Sequence, residues 1–304
     1  DDGFDSTEGA PSPGHTVSPR SGDETEDDAF RIALVQFAVD EALYAGHERF
    51  FEAIADLTRT AVARYDADFV VFPEYINVFA LFDNYADEIA GATSLADLEE
   101  TIAAAGGIPA MVRAEARRDT PALRSAWAET ADVFDVWILA GTAFVVTEEG
   151  ELRNRAWLFS PEGEAVYRQD KVFTTDFERR RLHITPGRLS RARPFSIAGR
   201  RFGLSICRDT FFDAWEAVYD EVDVWVDIRA NGEVWTPAVR ERFDGALPER
   251  VAQTSVQRGV GTALNGRFLD LLWQGPAFVV DAEGRRTLES SVVDGTTILA
   301  TSLD

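Results

Sequence analysis

Short apolar runs alternate with helical patterns along this chain of 304 residues. The runs at 30–39 and 68–74 are nearly continuous, which predicts strands buried on both faces. Between them, residues 47–65 carry apolar side chains at helical spacing, which predicts an amphipathic helix packed on a sheet: Phe50, Ile54, Leu57, Ala61 and Val62. Strand patterns that alternate with helical patterns are typical of an α/β fold.

Later segments continue this alternation. Helices are predicted over about 94–118, from Asp209 or Thr210 as cap to about Tyr219, and from Pro248 to Gly259. Further strands are predicted over 135–146, 155–160, 164–168, 195–206, 223–228, 261–265 and 276–281. No internal repeat is visible.

Composition divides the chain into a tail and one folded domain. Residues 1–29 hold nine Asp or Glu and one Arg, and they cannot bury enough surface to offset ordering entropy, so they are predicted to be a disordered acidic leader. The rest, 30–304, is rich enough in apolar residues to bury a large core, because 45% of the whole chain is hydrophobic.

The formal net charge of -23 restricts the partners. Nucleic acids and anionic membranes are held through clusters of Lys and Arg, so neither is expected. No apolar run approaches the roughly 18 residues of a membrane helix, so a soluble protein is expected. High acidity suits a salt-rich environment, although GC-rich codon usage explains the scarcity of Lys equally well. The start at Asp1 fits export after removal of a signal segment, or a cytoplasmic protein whose chain has been trimmed.

The chain contains one lysine, Lys171, and one cysteine, Cys207, beside 29 arginines. Retention of Lys at position 171 indicates that Arg is unacceptable there, since a compact ammonium fits a tight site where a planar guanidinium does not. A lone Cys forms no internal disulfide and matches no paired-Cys metal pattern. Cys207 is therefore either a packed thiol or a nucleophile.

Three segment ends carry the candidate chemistry. Glu74 follows Pro73 where a buried strand emerges, so burial is expected to raise its pKa toward that of a general base; the alternative is a solvated carboxylate. Lys171 has apolar neighbours, with a salt bridge to Asp170 or Asp176 as the alternative. Cys207 lies at a predicted strand-to-helix turn, where the positive helix end is expected to lower its thiol pKa and free N–H groups can bind an oxyanion.

Together these segments resemble the nitrilase, or carbon-nitrogen hydrolase, superfamily, whose members use a Glu-Lys-Cys triad. The resemblance runs from residues 32–36 to about 276–281. Its motifs are Phe72-Pro73-Glu74, Asn154 with the approach to Lys171 from Tyr167, the nucleophile turn Gly203 to Asp209, and the later strand Ala263-Leu264-Asn265-Gly266.

The resemblance implies a four-layer α-β-β-α sandwich that assembles as homodimers or larger homo-oligomers. It also implies that Glu74 takes the thiol proton, that Cys207 attacks the substrate carbon, and that Lys171 with the backbone N–H of Arg208 holds the oxyanion. No metal or organic cofactor is expected.

One position departs from the family pattern. Phe144 stands where many members carry a second Glu that helps to position the lysine, and Glu178 is the candidate to replace it. Further side chains near the triad segments could line a substrate pocket: Tyr75, Phe79, Phe173, Phe211, Arg229, Asn231 and Trp235. Arg229 could pair with a substrate carboxylate, or equally with Asp227 or Glu233.

The substrate class is only partly indicated. Arg208-Asp209 follows the cysteine in place of the Trp-Glu common in true nitrilases, which favours a small amide or carbamoyl substrate over a nitrile. An N-acyltransferase of the same family and a catalytically degenerate binding protein stay open as alternatives. A Cys-His hydrolase is disfavoured, because His15 lies in the tail, His47 opens a predicted helix and His183 follows an Arg-rich stretch that is typical of a surface or interface.

Overall fold

A computed structural model of the protein describes residues 29–40 and 47–303. The predicted acidic leader, 1–29, lies outside the described residues apart from Ala29.

The described residues form thirteen β-strands and eight α-helices. The strands are β1 Arg31–Val39, β2 Phe69–Val71, β3 Trp137–Val146, β4 Leu152–Phe159, β5 Ala165–Asp170, β6 Phe195–Ile197, β7 Arg200–Ile206, β8 Val224–Arg229, β9 Arg258–Phe268, β10 Leu271–Trp273, β11 Phe278–Val280, β12 Arg286–Glu289 and β13 Thr297–Ser302. The helices are α1 His47–Tyr65, α2 Ala86–Gly91, α3 Leu95–Thr101, α4 Gly107–Phe134, α5 Asp176–Arg180, α6 Glu216–Tyr219, α7 Pro237–Asp244 and α8 Leu247–Ala252. Short 3-10 helices cover Phe79–Tyr85, Ala103–Ala105, Leu189–Arg191, Cys207–Phe211 and Asp213–Trp215.

The strands follow the order β5-β4-β3-β2-β1-β9-β8-β7-β6 and fold into two layers. In the first layer β1, β2 and β3 run parallel, and β4, β5 and β13 extend it with antiparallel pairings. In the second layer β7, β8 and β9 are parallel, while β6 and β11 flank them in antiparallel pairings. The layers join where the end of β1 pairs with the end of β9.

Apolar side chains form three hydrophobic cores, one between each pair of neighbouring layers. Leu34, Val71 and Leu158 from the first sheet meet Leu204 and Val226 from the second in a core between the sheets. On the outer face of the first sheet, α1 and α4 cover a second core. On the outer face of the second sheet, α6 and α8 cover a third. This arrangement confirms the predicted four-layer α-β-β-α sandwich.

Just after β2, the backbone lies very close to β3. Phe72 N–H still donates to the Leu139 carbonyl at 2.9 Å, and the backbone then turns so that Glu74 emerges from the sheet. Gly141 on β3 has a φ of +60°, and a Cβ there would lie 2.1 Å from the Pro73 carbonyl oxygen. Only glycine fits a position that combines this φ with this contact.

Two predicted helices differ from the structure: the helix predicted to start at Pro248 is present but ends early, and the one predicted from Asp209 to Tyr219 is broken up. Gly259 ends no helix: α8 ends at Ala252, and Gly259 lies within β9, where a Cβ would meet the side chains of Val280 and Val251 at 2.6 and 2.9 Å. The glycine therefore permits close packing of a helix on a strand. No continuous helix runs from Asp209 to Tyr219 either, because two 3-10 turns precede the single turn of α6.

Several elements have no counterpart in the sequence prediction. They include α7 and the outer strands β10, β12 and β13, all short or partly exposed, so their apolar periodicity is weak. Helix α4 also extends to Phe134, beyond the predicted end near 118, with Pro121 inside it. Among the described residues, no helix is long and apolar enough to cross a membrane.

Candidate active site

Glu74 and Lys171 form a buried ion pair at the carboxyl edge of the first sheet. Lys171 directly follows β5, and its Nζ lies 2.7 Å from Oε1 of Glu74. Both side chains are about 1% exposed. The alternative partners of the lysine are engaged elsewhere, since Asp170 pairs with Arg155 and Asp176 with Arg179. An ion pair this deeply buried requires further hydrogen bonds around it, because desolvation of both charges is costly.

Glu178 supplies a second carboxylate to the same ammonium group. Thr175 caps α5, and the capping box holds Glu178 by the Thr175 N–H, 2.7 Å from Oε2. Its Oε1 accepts from Lys171 Nζ at 3.1 Å and from the Tyr75 hydroxyl at 2.7 Å. The structure thus places Glu178, the candidate to replace the carboxylate missing at Phe144, against Lys171.

Asn154 joins the two carboxylates. Its Nδ2 donates to Oε1 of Glu74 at 2.9 Å and to Oε1 of Glu178 at 3.0 Å. Asn154 belongs to the motif that leads to Lys171, but no role was predicted for its side chain. A side-chain amide in an otherwise buried strand was the available signal, because buried amides need partners.

Cys207 lies at a strained turn immediately after β7. Its φ is +53°, in the left-handed region that non-glycine residues rarely adopt. The Thr210 hydroxyl donates to the Cys207 carbonyl at 2.8 Å. This contact helps to hold the nucleophile turn in place, and backbone strain of this kind is typical of functional sites.

Asp209 connects this turn to the lysine. Its carboxylate accepts from the N–H of Phe173 at 2.7 Å and of Val172 at 3.2 Å, just after Lys171. It also accepts from the N–H of Ile206 at 3.2 Å, just before Cys207. One buried side chain therefore bridges two candidate catalytic segments, a role that was not predicted.

Burial dominates the electrostatics of the site. Desolvation raises the pKa of Glu74, as predicted, against the lowering effect of Lys171, and the charge of Glu178 raises it further. Although burial of Glu178 opposes ionisation, Lys171 and the hydrogen bonds from Thr175 and Tyr75 lower its pKa. Burial opposes the charge of Lys171, but the carboxylates Glu178 and Glu74 raise its pKa well above the usual value. The cluster thus contains an ammonium group shared between two carboxylates.

The predicted lowering of the Cys207 pKa is wrong. Burial raises the pKa of this thiol, the Glu74 carboxylate raises it further, and Lys171 only partly offsets them. A five-residue 3-10 helix begins at Cys207 in place of the predicted α-helix. So short a helix has only a weak dipole to stabilise a thiolate. The resting cysteine is a neutral thiol.

The other predicted pocket residues fall into two groups. Tyr75 contacts the triad: its ring lies 5.8 Å from Lys171 Nζ, and Phe144 packs edge-on against it at 5.5 Å. The contacts of the rest are with residues outside the triad: Phe79 packs on Phe268 and Trp273, Phe173 stacks on Phe212, Phe211 and Trp235 pack on Phe243, Arg229 lies between Phe243 and Phe278, and Asn231 donates to the carbonyls of Glu233 and Gln274. Arg229 also lies 3.7 Å from Asp227, one of its predicted protein partners. Within the described part of the chain, no group of three or more His, Cys, Asp or Glu side chains could hold a metal ion.

A fold with this site defines a class of enzymes that cleave carbon-nitrogen bonds. Residues 31–237 match the family model for carbon-nitrogen hydrolases. The chain belongs to this family, within the nitrilase superfamily, and is a carbon-nitrogen hydrolase. No curated protein sequence is detectably similar to it.

Solved structures share the fold at low sequence identity. The carbon-nitrogen hydrolase from Helicobacter pylori G27 superposes with a TM-score of 0.68 at 14% identity, covering 90% of this chain and 89% of that one. The NitN amidase from Nesterenkonia sp. AN1 gives 0.67 at 18% identity, covering 90% and 93%. A mutant of the Nesterenkonia amidase, with the acetamide moiety of fluoroacetamide covalently added at its active-site cysteine, gives 0.66 at 18% identity, covering 93% of both chains.

Proposed function

We propose that this enzyme hydrolyses a small carboxamide or carbamoyl compound through a thioester on Cys207, releasing ammonia or an amine. Glu74 acts as general base and then general acid, and Lys171 with the backbone N–H of Arg208 stabilises the oxyanion. The proposal unites the family membership with the buried cluster of Glu74, Lys171 and Glu178 beside the only cysteine.

One observation carries the assignment of Glu74. Its Oε1 accepts from both Lys171 and Asn154, whereas its Oε2 is buried without a hydrogen-bond partner among the described residues. A buried carboxylate oxygen without a donor is costly unless it has a use. Oε2 is the free acceptor for the Cys207 proton, and the two donors on Oε1 fix its orientation.

The raised pKa of the Cys207 thiol determines the order of events. A thiolate does not accumulate in the resting enzyme, so proton transfer to Glu74 accompanies attack on the substrate carbon. The new carbon-sulfur bond pushes the carbonyl electron pair onto oxygen, where the Lys171 ammonium and the Arg208 N–H bind it. Collapse expels the nitrogen, which takes the proton from Glu74. Water then enters, gives a proton to Glu74 and adds to the thioester carbon. Collapse breaks the carbon-sulfur bond, the departing sulfur takes that proton from Glu74, and the acid and the free thiol result.

The burial of the triad favours a small substrate. Glu74 and Lys171 are almost completely excluded from solvent, and Cys207 is 9% exposed. Such a site admits a compact acyl group, and desolvation strengthens the electrostatic interactions there. The covalent acetamide adduct in the structural relative supports a short acyl chain and a cysteine nucleophile here. Arg208-Asp209 after the cysteine favours amides over nitriles.

The test is ammonia release from a panel of amides, carbamoyl compounds and nitriles, at low and high salt. Release from a short amide or a carbamoyl compound that disappears in Cys207→Ala supports the proposal. Turnover that survives in Cys207→Ala contradicts it. Alkylation of Cys207 by iodoacetamide gives a readout that needs no substrate, and Glu74→Gln should slow it.

Two alternatives have separable outcomes. An acyltransferase passes the acyl group to an amine, so products formed with competing hydroxylamine or glycine would exceed the free acid even at low amine concentration. A degenerate binding protein shows no turnover, and its Cys207 reacts with iodoacetamide no faster than an unactivated thiol.

A further inference from the structure

A large concavity lies on the outer face of the first sheet, away from the triad. Its volume is about 710 Å³, within the usual range of small-molecule sites. Strands β4 and β5 form its floor. Its walls are formed by residues 145–151 at the end of β3 and beyond, by α4, and by the segment around Arg188 and Arg191. Asp170 belongs to its lining, whereas the next residue, Lys171, reaches the triad, so the two sites lie on opposite faces of the same strand end.

The charge of this concavity opposes that of the molecule. The chain carries a net charge of -23, yet six of its 29 arginines line this one cavity beside only four carboxylates. The arginines are Arg124, Arg153, Arg155, Arg168, Arg188 and Arg191, and the carboxylates are Glu148, Glu149, Glu151 and Asp170.

Half of these arginines are free to bind a ligand. Arg155 holds Asp170 through two hydrogen bonds, Arg153 pairs with Glu151, and Arg191 acts electrostatically on Glu149. The guanidinium groups of the remaining three have neither a hydrogen bond nor an ion pair with any described residue, and all three residues are exposed: Arg124, Arg168 and Arg188.

Arg153 adds an independent sign of a missing partner. The residue is only 8% exposed, and it donates through Nη1 to the carbonyls of Thr185 and Pro186 and through Nη2 to Glu151. Its Nε is buried and has no acceptor among the described residues. A buried guanidinium N–H without an acceptor is costly, and an anion in the cavity would satisfy it.

A second concavity serves as a comparison. Its volume is about 530 Å³, and its three arginines face three carboxylates. There every arginine is paired: Arg240 with Glu289, Arg285 with Asp281 and Glu283, and Arg286 with Asp244. Each of these three arginines has a carboxylate partner, although Nη2 of Arg286 is buried without a hydrogen-bond partner among the described residues. The first concavity is therefore distinguished by its three arginines that lack any carboxylate partner.

We infer that the concavity lined by Arg153, Arg168 and Arg188 is a binding site for a small multivalent oxyanion. Guanidinium groups recognise phosphate and carboxylate oxygens through paired hydrogen bonds, and several of them in one cavity favour a ligand with two or more anionic groups. The volume exceeds the needs of a single phosphate, so an organic phosphate or polycarboxylate fits best. This site is distinct from the one that performs hydrolysis.

The experiment is isothermal titration calorimetry of the full chain at low salt, with pyrophosphate and, separately, with citrate. Titration with chloride at equal ionic strength is the control for non-specific anion effects. The two ligands distinguish a phosphate from a carboxylate preference. Saturable binding of either is expected, and it should weaken about tenfold or more in the double variant Arg168→Gln with Arg188→Gln, since each lost charge-assisted hydrogen bond contributes substantially. Cys207→Ala should bind like the wild type.

The matched control is the double variant Arg240→Gln with Arg285→Gln, which also removes two positive charges, but from the second concavity. Binding should be unchanged in this control. Absence of saturable binding of both ligands, equal weakening in both double variants, or equal binding of chloride would overturn the inference. If the cavity variant fails to fold, Arg188→Gln alone and the rise in wild-type melting temperature with pyrophosphate, relative to chloride, decide the question.

Discussion

The Lys171 ammonium donates to two carboxylates, with Glu178 Oε1 at 3.1 Å and Glu74 Oε1 at 2.7 Å. Two negative charges and one positive charge leave a net negative cluster. The charge of Glu178 therefore acts on the proton affinity of Glu74, although the two residues are 104 positions apart in the sequence.

Glu178→Gln should shift the pH dependence of the enzyme as well as its rate. Removal of this charge lowers the pKa of Glu74, because Glu178 raises it in the native site. The acid limb of kcat/KM should move to lower pH, and kcat should fall by about 10²-fold because Lys171 loses a positioning partner. Asp176→Asn, an exposed charge on the same helix, is the control and should leave the profile in place. An unshifted acid limb in Glu178→Gln would contradict the coupling.

Lys171→Arg should nearly abolish activity despite conservation of charge. The site surrounds Nζ with Glu74, Glu178 and the Tyr75 ring and leaves 1% of the side chain exposed, so a guanidinium lacks room. Loss of the oxyanion donor geometry should reduce kcat/KM by about 10³-fold. Lys171→Met, which keeps the length and removes the charge, should also destabilise the fold, since it leaves two buried carboxylates unpaired. Ammonia release and urea denaturation measure the two effects, and more than a tenth of wild-type activity in Lys171→Arg would refute the steric argument.

Gly141→Ala tests the close approach of β3 to the turn before Glu74. The new Cβ would overlap the Pro73 carbonyl, so we expect a loss in unfolding free energy of about 2–4 kcal/mol and a displaced Glu74. Gly199→Ala is a matched control, because Gly199 has a similarly positive φ of +79° but no atom within 4 Å of an added Cβ. Urea denaturation of both variants separates backbone strain from overlap. Equal losses would show that the approach at Gly141 is not rigid.

The elements around the site could be predicted because their signals are local. Helix α1 has the predicted bounds, His47–Tyr65, since its apolar face repeats at helical spacing. The strands before Glu74 and Cys207 are apolar runs buried between layers. The sole lysine indicated the site, because a chain that otherwise uses Arg is expected to keep a Lys only where a guanidinium group does not fit.

What could not be predicted depends on tertiary contacts. Glu178 was named as a candidate, but its contact with Lys171 depends on a capped turn whose direction no local pattern specifies. The expected drop in the Cys207 pKa assumed an α-helix after the turn, whereas the structure has a five-residue 3-10 helix there and burial raises the pKa of the thiol. Gly259 is predicted to end a helix, but it lies in β9. Glycine is needed there because two valine side chains leave no space for a Cβ.

Asp209 provides the last prediction, since its titration should be visible in stability. Burial raises the pKa of this carboxyl from 3.8 to about 7, against the backbone N–H groups of Phe173 and Ile206. Between these two values the folded protein binds more protons than the unfolded chain. The contribution of Asp209 to the unfolding free energy therefore falls as pH rises through this window, by about 4 kcal/mol in total.

Asp209→Asn lacks this titration and loses at least one backbone acceptor, so it should be less stable than the wild type by a gap that depends on pH. The gap should be largest near pH 3.8 and should narrow steadily toward pH 7, because only the wild type loses the Asp209 contribution over that range. Asp227, whose pKa burial also raises to about 7, is present in both proteins and cancels in the difference. Urea denaturation at half-unit steps of pH measures the gap, with Asp213→Asn, an exposed carboxylate four residues away, as the control for net charge. Parallel stability profiles for Asp209→Asn and the wild type would mean that Asp209 is ionised throughout, held by its three N–H donors.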